Sequence, residues 1–79
     1  MTKAQAVRIL RELVPGSGCV PTDDPFKTYG IWVLAFSHKG KGFTVLLTDM
    51  PIHSEADYEI ARGEAIRKLK EILARPDMA

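Results

Sequence analysis

This sequence lacks the disulfide-forming cysteines, the long apolar segments and the excess of positive charge that several classes of protein require. It contains a single cysteine, Cys19, so it cannot form an internal disulfide. No apolar run reaches the length of a signal-peptide core or of a membrane-spanning helix. Lysine and arginine total 11 against 10 acidic residues, and the net charge of +1 lacks the basic excess of most nucleic-acid-binding domains. We therefore expect a cytoplasmic protein that is stabilised without disulfides.

The chain also lacks the motifs of common enzymes and metal sites. It has no glycine-rich phosphate loop, no paired cysteines and no catalytic signature. Nothing in the spacing places a base beside Cys19, and a lone cysteine is usually a small buried hydrophobe. Asp49, His53 and Asp57 lie four residues apart, but helix capping already explains acidic residues there. We predict a protein that is not an enzyme and that binds no metal or cofactor.

The length of the chain limits its organisation. Its 79 residues are enough for one domain with a modest core, and a second domain is excluded. A small domain without disulfides or a metal often gains stability by association. We predict one compact domain over residues 1–79 that self-associates or binds another protein.

Two apolar runs, residues 29–36 and 43–48, form the centre of the chain. They are rich in β-branched and aromatic residues, and residues 37–42 supply two glycines between them, which predicts a β-hairpin. The first run is apolar on both faces, and one of these faces carries Trp32, Leu34 and Phe36. Such a strand either lies in a sheet that is covered on both faces or presents one face to a partner.

A helix is predicted before this hairpin. Apolar residues recur at helical spacing from residue 2 to about residue 14, where Pro15 ends the pattern. Residues 15–28 hold three prolines and are expected to be largely irregular. A short edge strand around Cys19 and Val20 is the alternative, and it would give the order α-β-β-β-α.

A second helix is predicted after the hairpin. It opens at Ser54, with Asp57 in the position of a capping-box acid, and it ends before Pro76. The predicted fold class is therefore α+β: a helix, an antiparallel sheet of two or three strands centred on residues 29–49, and a C-terminal helix.

Three residues of the second helix depart from its amphipathic pattern. Ile60 lies on the polar side, Arg62 projects into the apolar stripe, and Gly63 lies mid-helix, where glycine costs about 1 kcal/mol relative to alanine. The ordinary interpretation is one exposed apolar residue, an arginine that extends to solvent and a tolerated glycine. The alternative is a close-contact surface for a partner made by Ile60, Gly63 and Arg67.

These patterns favour a small non-catalytic protein-binding module that acts as an adaptor, regulator or inhibitor. Two helices on one face of the sheet would leave the other face uncovered. By analogy of size alone, phage-encoded inhibitors of host defence are comparable proteins. The residues predicted to bind a partner are Trp32, Leu34, Phe36, Ile60, Gly63 and Arg67.

The order helix, two or three strands, helix resembles the double-stranded RNA-binding domain, and residues 54–69 are similar to the final helix of that family in their alanine-rich apolar rhythm. The resemblance implies an α-β-β-β-α fold and a contact to RNA from the strand-connecting loop with His38. The family's phosphate-binding lysine cluster is absent, because the matching positions hold Glu55, Ala56 and Asp57. Acidic groups at this point repel a phosphate backbone.

Nucleic-acid binding through the basic tip of the hairpin is the alternative function. Lysine and histidine side chains at the tip, with two arginines of the first helix, would contact phosphates. The residues predicted for this alternative are His38, Lys39, Lys41, Arg8 and Arg11.

Overall fold

A computed structural model describes residues 1–78 of the chain. The elements in chain order are α1 (Lys3–Leu13), β1 (Cys19–Pro21), β2 (Phe26–Thr28), β3 (Ile31–His38), β4 (Lys41–Thr48), α2 (Glu55–Leu73) and a final 3₁₀ turn (Pro76–Met78). An antiparallel sheet lies between an N-terminal and a C-terminal helix in the sequence. The α+β fold class predicted from the sequence is confirmed.

The sheet has four strands, whereas the sequence predicted two or three. Strand β3 is central, with β4 on one side, and β1 and β2 pair with the other side of β3 one after the other. Cys19 lies opposite His38, and Phe26 lies opposite Val33. The expected irregular segment 15–28 therefore contains two strands. Each is only three residues long, which is too short to show a period-two pattern.

Both hairpin connections are turns of two residues. Tyr29 and Gly30 join β2 to β3 with φ of 48° and 74°, and Lys39 and Gly40 join β3 to β4 with φ of 52° and 79°. Two-residue turns with positive φ at both positions match the twist of the flanking strands. The connection predicted at residues 37–42 is thus two residues, because pairing continues to the end of each strand.

Local capping starts both helices where the sequence predicted. In α1, the Thr2 hydroxyl accepts a hydrogen bond from the Gln5 amide at 3.2 Å, and the Gln5 side chain accepts one from the Thr2 amide at 2.8 Å. In α2, the Ser54 hydroxyl accepts from the Asp57 amide at 3.2 Å. The Asp57 carboxylate accepts from the amide of His53, one residue before the N-cap, so the reciprocal bond is displaced by one residue.

Both helices cover the same face of the sheet. The buried cluster combines the inward face of β3 and β4 with the apolar stripes of α1 and α2. Trp32, Leu34 and Phe36 lie in this cluster with exposures of 6%, 0% and 0%. Their assignment to a partner-binding surface was wrong, because the helices pack on this face and not on its opposite.

A polar anchor closes one end of this core. The Asp49 carboxylate, directly after β4, accepts from the Trp32 indole at 3.2 Å and pairs with Lys27 at 2.6 Å and with the Met1 α-amino group at 2.9 Å. The pairing with Lys27, and after it the hydrogen bond from the Met1 amine, lowers the pKa of Asp49 well below its usual range. The indole N–H therefore has a charged acceptor at the edge of the core.

Candidate functional site

Among residues 1–78, no helix covers the sheet face that points away from α1 and α2, here called the outer face. Its apolar positions follow from the strand register and are Val20, Phe26, Ile31, Val33, Ala35 and Leu46. Its remaining positions are Thr28, Ser37, Gly42, Thr44 and Thr48. None of these side chains is charged, although 27% of the chain is Asp, Glu, Lys or Arg.

Four apolar side chains of the outer face are exposed to solvent. The exposed fractions are 62% for Val20, 49% for Phe26, 37% for Ile31 and 43% for Leu46. Val33 is flanked in the register by Phe26 and Leu46 and is only 7% exposed. Contiguous exposed apolar side chains with a polar margin are typical of interaction surfaces.

Side chains of α2 occupy the β4 edge of the sheet at residues 46–48. The Lys68 ammonium donates to the Leu46 carbonyl at 2.6 Å, and the Glu64 carboxylate accepts from the Thr48 amide at 3.4 Å and from its hydroxyl at 3.3 Å. Partial burial acts to raise the pKa of Glu64, but bonds from Lys68 and Thr48 outweigh it and the net pKa is lowered. This ion pair makes the edge a poor template for another strand.

The opposite edge is interrupted. Strands β1 and β2 are separated by residues 22–25, where the Asp24 amide bonds to the Asp23 side chain and Pro25 has no amide hydrogen. Pro21 likewise removes a donor from β1. Both edges are therefore unsuited to strand addition, and the outer face is the accessible part of the sheet.

The predicted contact residues of α2 lie apart from the outer face. Ile60 is 62% exposed and Gly63 is also exposed, and Arg67 pairs with Glu71 at 3.0 Å. The spacing of Ile60, Gly63 and Arg67 places them on one side of α2, as the sequence pattern indicated. Their role in binding stays a prediction.

We expect Gly63→Ala to stabilise the isolated domain by about 1 kcal/mol, since alanine replaces glycine in a helix interior. A Cβ placed on Gly63 meets no atom within 4 Å, so the change introduces no clash. Thermal melting at low protein concentration measures the effect. Gly40→Ala is the matched control and is expected to destabilise, because Gly40 has a φ of 79°. A destabilised Gly63→Ala variant would contradict the prediction and indicate a contact at this position.

The predicted basic tip is partly engaged by the protein itself. His38 Nδ1 lies 3.1 Å from the Gly18 carbonyl oxygen, and the Lys41 ammonium donates to the carbonyl of Asp77. Lys39 is exposed in the turn. The tip therefore presents one outward lysine in place of three grouped cations.

The two arginines predicted to assist the tip lie on α1. The Arg8 guanidinium stacks on the Tyr58 ring, 3.8 Å from its centroid, and pairs with Glu55 at 3.1 Å and with Glu12 at 3.4 Å. Arg11 is exposed. Because Glu55 and Glu12 compensate the charge of Arg8, this group is poorly suited to bind phosphate.

The chemistry of other candidate sites is limited. Cys19 is buried, and its Sγ lies 3.8 Å from the Ser17 carbonyl oxygen. Across residues 1–78, no three His, Cys, Asp or Glu side chains are placed to hold a metal ion together. Over the same residues, no helix has the length and apolar character needed to cross a membrane. A scan of protein-family models and searches of curated proteins and of solved structures find no match for this chain.

The most exposed apolar residues of the outer face were not among the binding residues predicted from the sequence. The edge strand given as an alternative around Cys19 and Val20 is present as β1, but the three-residue strand that contains Phe26 lay in the segment expected to be irregular. Leu46 did carry a signal, because it is the apolar member of an otherwise threonine-lined face of its strand. The open face of β3 carries Ile31, Val33 and Ala35. It lies on the opposite side of the strand from the residues that the sequence predicted to bind a partner.

Proposed function

We propose that this chain is a small non-catalytic protein-binding module and that the outer face is its binding surface. The observation that carries the proposal is an uncharged sheet face with four exposed apolar side chains, left open by both helices. An apolar centre with Thr and Ser around it is similar to the apolar core and polar rim of protein interfaces. Phe26, the only aromatic side chain of the outer face, is the expected energetic anchor.

The charge distribution favours a protein over a nucleic acid as the partner. Single-stranded nucleic acids bind aromatic platforms that are combined with cationic grooves. Phe26 could serve as a platform, but no outward position of the strands carries a lysine or arginine. At the hairpin tip, His38 and Lys41 contact backbone carbonyls of the same chain. A module with this surface acts by covering a partner's apolar surface, as adaptors, regulators and inhibitors do.

Leu46→Lys is expected to weaken binding at least about tenfold, because it places a charge in the apolar part of the interface. Tagged wild type is co-expressed with an untagged copy in the native host, and captured proteins are quantified by mass spectrometry. Ala4→Lys is the control, since it adds the same charge at an exposed apolar residue of α1, on the helix-covered side of the sheet. Captured proteins, including the untagged copy, are expected to fall with Leu46→Lys and to persist with Ala4→Lys. Equal capture by all three chains would contradict the proposal.

A further inference from the structure

The outer face has a ridge and a trough. Across the three-strand width of the sheet, Phe26, Val33 and Leu46 lie side by side in register, and we call this row the outer ridge. The next rows along β3 and β4 hold only small side chains, and Val20 of β1 lies beside Ser37 at their margin. The small residues, here called the outer trough, are Ala35, Ser37, Gly42 and Thr44.

This profile is complementary to itself. Outward positions repeat about every 6.7 Å along a strand, so the centre of the outer trough lies roughly 10 Å from the outer ridge. Two copies can be related by a two-fold axis that runs across the strands, midway between the outer ridge and the centre of the outer trough. It places the ridge of one copy over the trough of the other, with Leu46 above Gly42 and Thr44, Val33 above Ala35, and Phe26 against Val20 at the margin. The same operation places the second ridge in the first trough, as a two-fold interface requires.

Charge and the sheet edges agree with this arrangement. The outer face itself carries no charged side chain, so its centre meets a second copy without like-charge repulsion, while Lys68, Glu71 and Arg75 of α2 border it beside Thr44 and Leu46. Strand addition is opposed by Lys68 and Glu64 at the β4 edge and by the break between β1 and β2 at the other edge. Face-to-face packing of two sheets at about 10 Å needs neither edge.

The size of the face predicts how tight this contact is. Eight-residue strands and a three-strand width give a face of roughly 26 by 14 Å, about 370 Å² in plan. Stable interfaces of standard size bury about 800 Å² on each partner. The face is smaller, so the dimer is expected to exchange with monomer at micromolar concentrations.

We infer that the partner of the outer face is a second copy of this chain, packed face to face with each outer ridge in the other's outer trough. The inference rests on the proposed function, because it uses the same surface and names its occupant.

The test is the mass of the purified chain by sedimentation equilibrium, from about 1 μM to about 1 mM. Wild type is expected to show a monomer–dimer equilibrium, and Leu46→Lys to raise the dimer dissociation constant at least about tenfold. Thr44→Leu adds apolar surface and fills the trough, so ridge-in-trough packing predicts weaker dimers. Non-specific apolar association predicts tighter ones. Thr44→Ala keeps the trough open and is expected to leave the dissociation constant within about threefold of wild type.

Several outcomes would overturn the inference. These are a wild type that stays monomeric at the highest concentration, a Thr44→Leu variant that dimerises more tightly, or an Ala4→Lys variant that loses the dimer as Leu46→Lys does. Thermal melting confirms that each variant is folded. A monomeric wild type that still captures other proteins in a Leu46-dependent manner would overturn the second copy as partner and leave the proposed function standing. A wild type that neither dimerises nor captures other proteins would overturn the inference and the proposed function together.

Discussion

Phe36→Ala is expected to lower the free energy of unfolding by about 3–5 kcal/mol, the usual cost of removing a buried aromatic ring. Phe36 is fully buried in the central strand, and its ring stacks on Phe43 at a centroid distance of 5.7 Å. A domain of 79 residues has a total stability of roughly 4–12 kcal/mol. The variant is therefore expected to be largely or partly unfolded at physiological temperature.

Urea denaturation of wild type and variant measures this loss. Phe26→Ala is the matched control, because it removes the same ring from the outer face and is expected to cost less than about 1 kcal/mol. A Phe36→Ala variant as stable as wild type, or equal losses for the two variants, would mean that the helices do not select the inward face. The two variants also separate the core from the proposed binding surface, since Phe26→Ala is expected to weaken association and keep the fold.

Tyr58→Ala is expected to have a similar effect, about 3–5 kcal/mol, because Tyr58 joins the two helices. Its side chain is 1% exposed, its hydroxyl donates to the Glu12 carboxylate at 2.7 Å, and Arg8 lies over its ring. Tyr58→Phe keeps the ring and removes the hydroxyl, so it is expected to cost about 1 kcal/mol. Urea denaturation of the two variants separates the contribution of the ring from that of the hydrogen bond. Equal losses would assign the whole effect to the hydroxyl and contradict the packing role.

The hydroxyl contribution is expected to disappear at high pH. Burial, and after it the Glu12 hydrogen bond, raises the pKa of Tyr58 to about 12, whereas a tyrosine in an unfolded chain titrates near about 10. The unfolded chain therefore loses its proton first, so this stabilisation is fully present below pH of about 10 and is lost as the pH rises toward about 12. The melting difference between wild type and Tyr58→Phe is expected to shrink over that interval. A constant difference would show that the phenol does not titrate differently in the two states.

The starts of the helices and the two long strands were predictable because their causes are local. Thr2 and Ser54 accept hydrogen bonds from amides three residues later, which a short window of sequence contains. Ile60 was identified as exposed because helical spacing alone separates it from the apolar stripe. The β3–β4 hairpin was predicted from composition and from the glycines of its connection, although its turn contains only Lys39 and Gly40.

Strand β2 and the sheet edges were not predictable in this way, whereas β1 was given as an alternative around Cys19 and Val20. Strand β2 exists because Phe26, Lys27 and Thr28 pair with β3 across a two-residue turn, and three residues carry no readable period. Glu64 and Lys68 lie four residues apart, a spacing at which an ion pair forms on one side of a helix. Only the structure shows that this pair also bonds to the backbone of β4.

The sequence by itself determined an α+β domain with capped helices around an apolar hairpin, because periodicity, capping and turn chemistry act over a few residues. Only the tertiary structure decided which face of the sheet is open. Both faces of β3 are apolar, so burial of either face satisfies the local pattern. One face carries Trp32, Leu34 and Phe36, and the other carries Ile31, Val33 and Ala35. The choice depends on the side where both helices pack, and that packing is set by contacts between residues far apart in the chain.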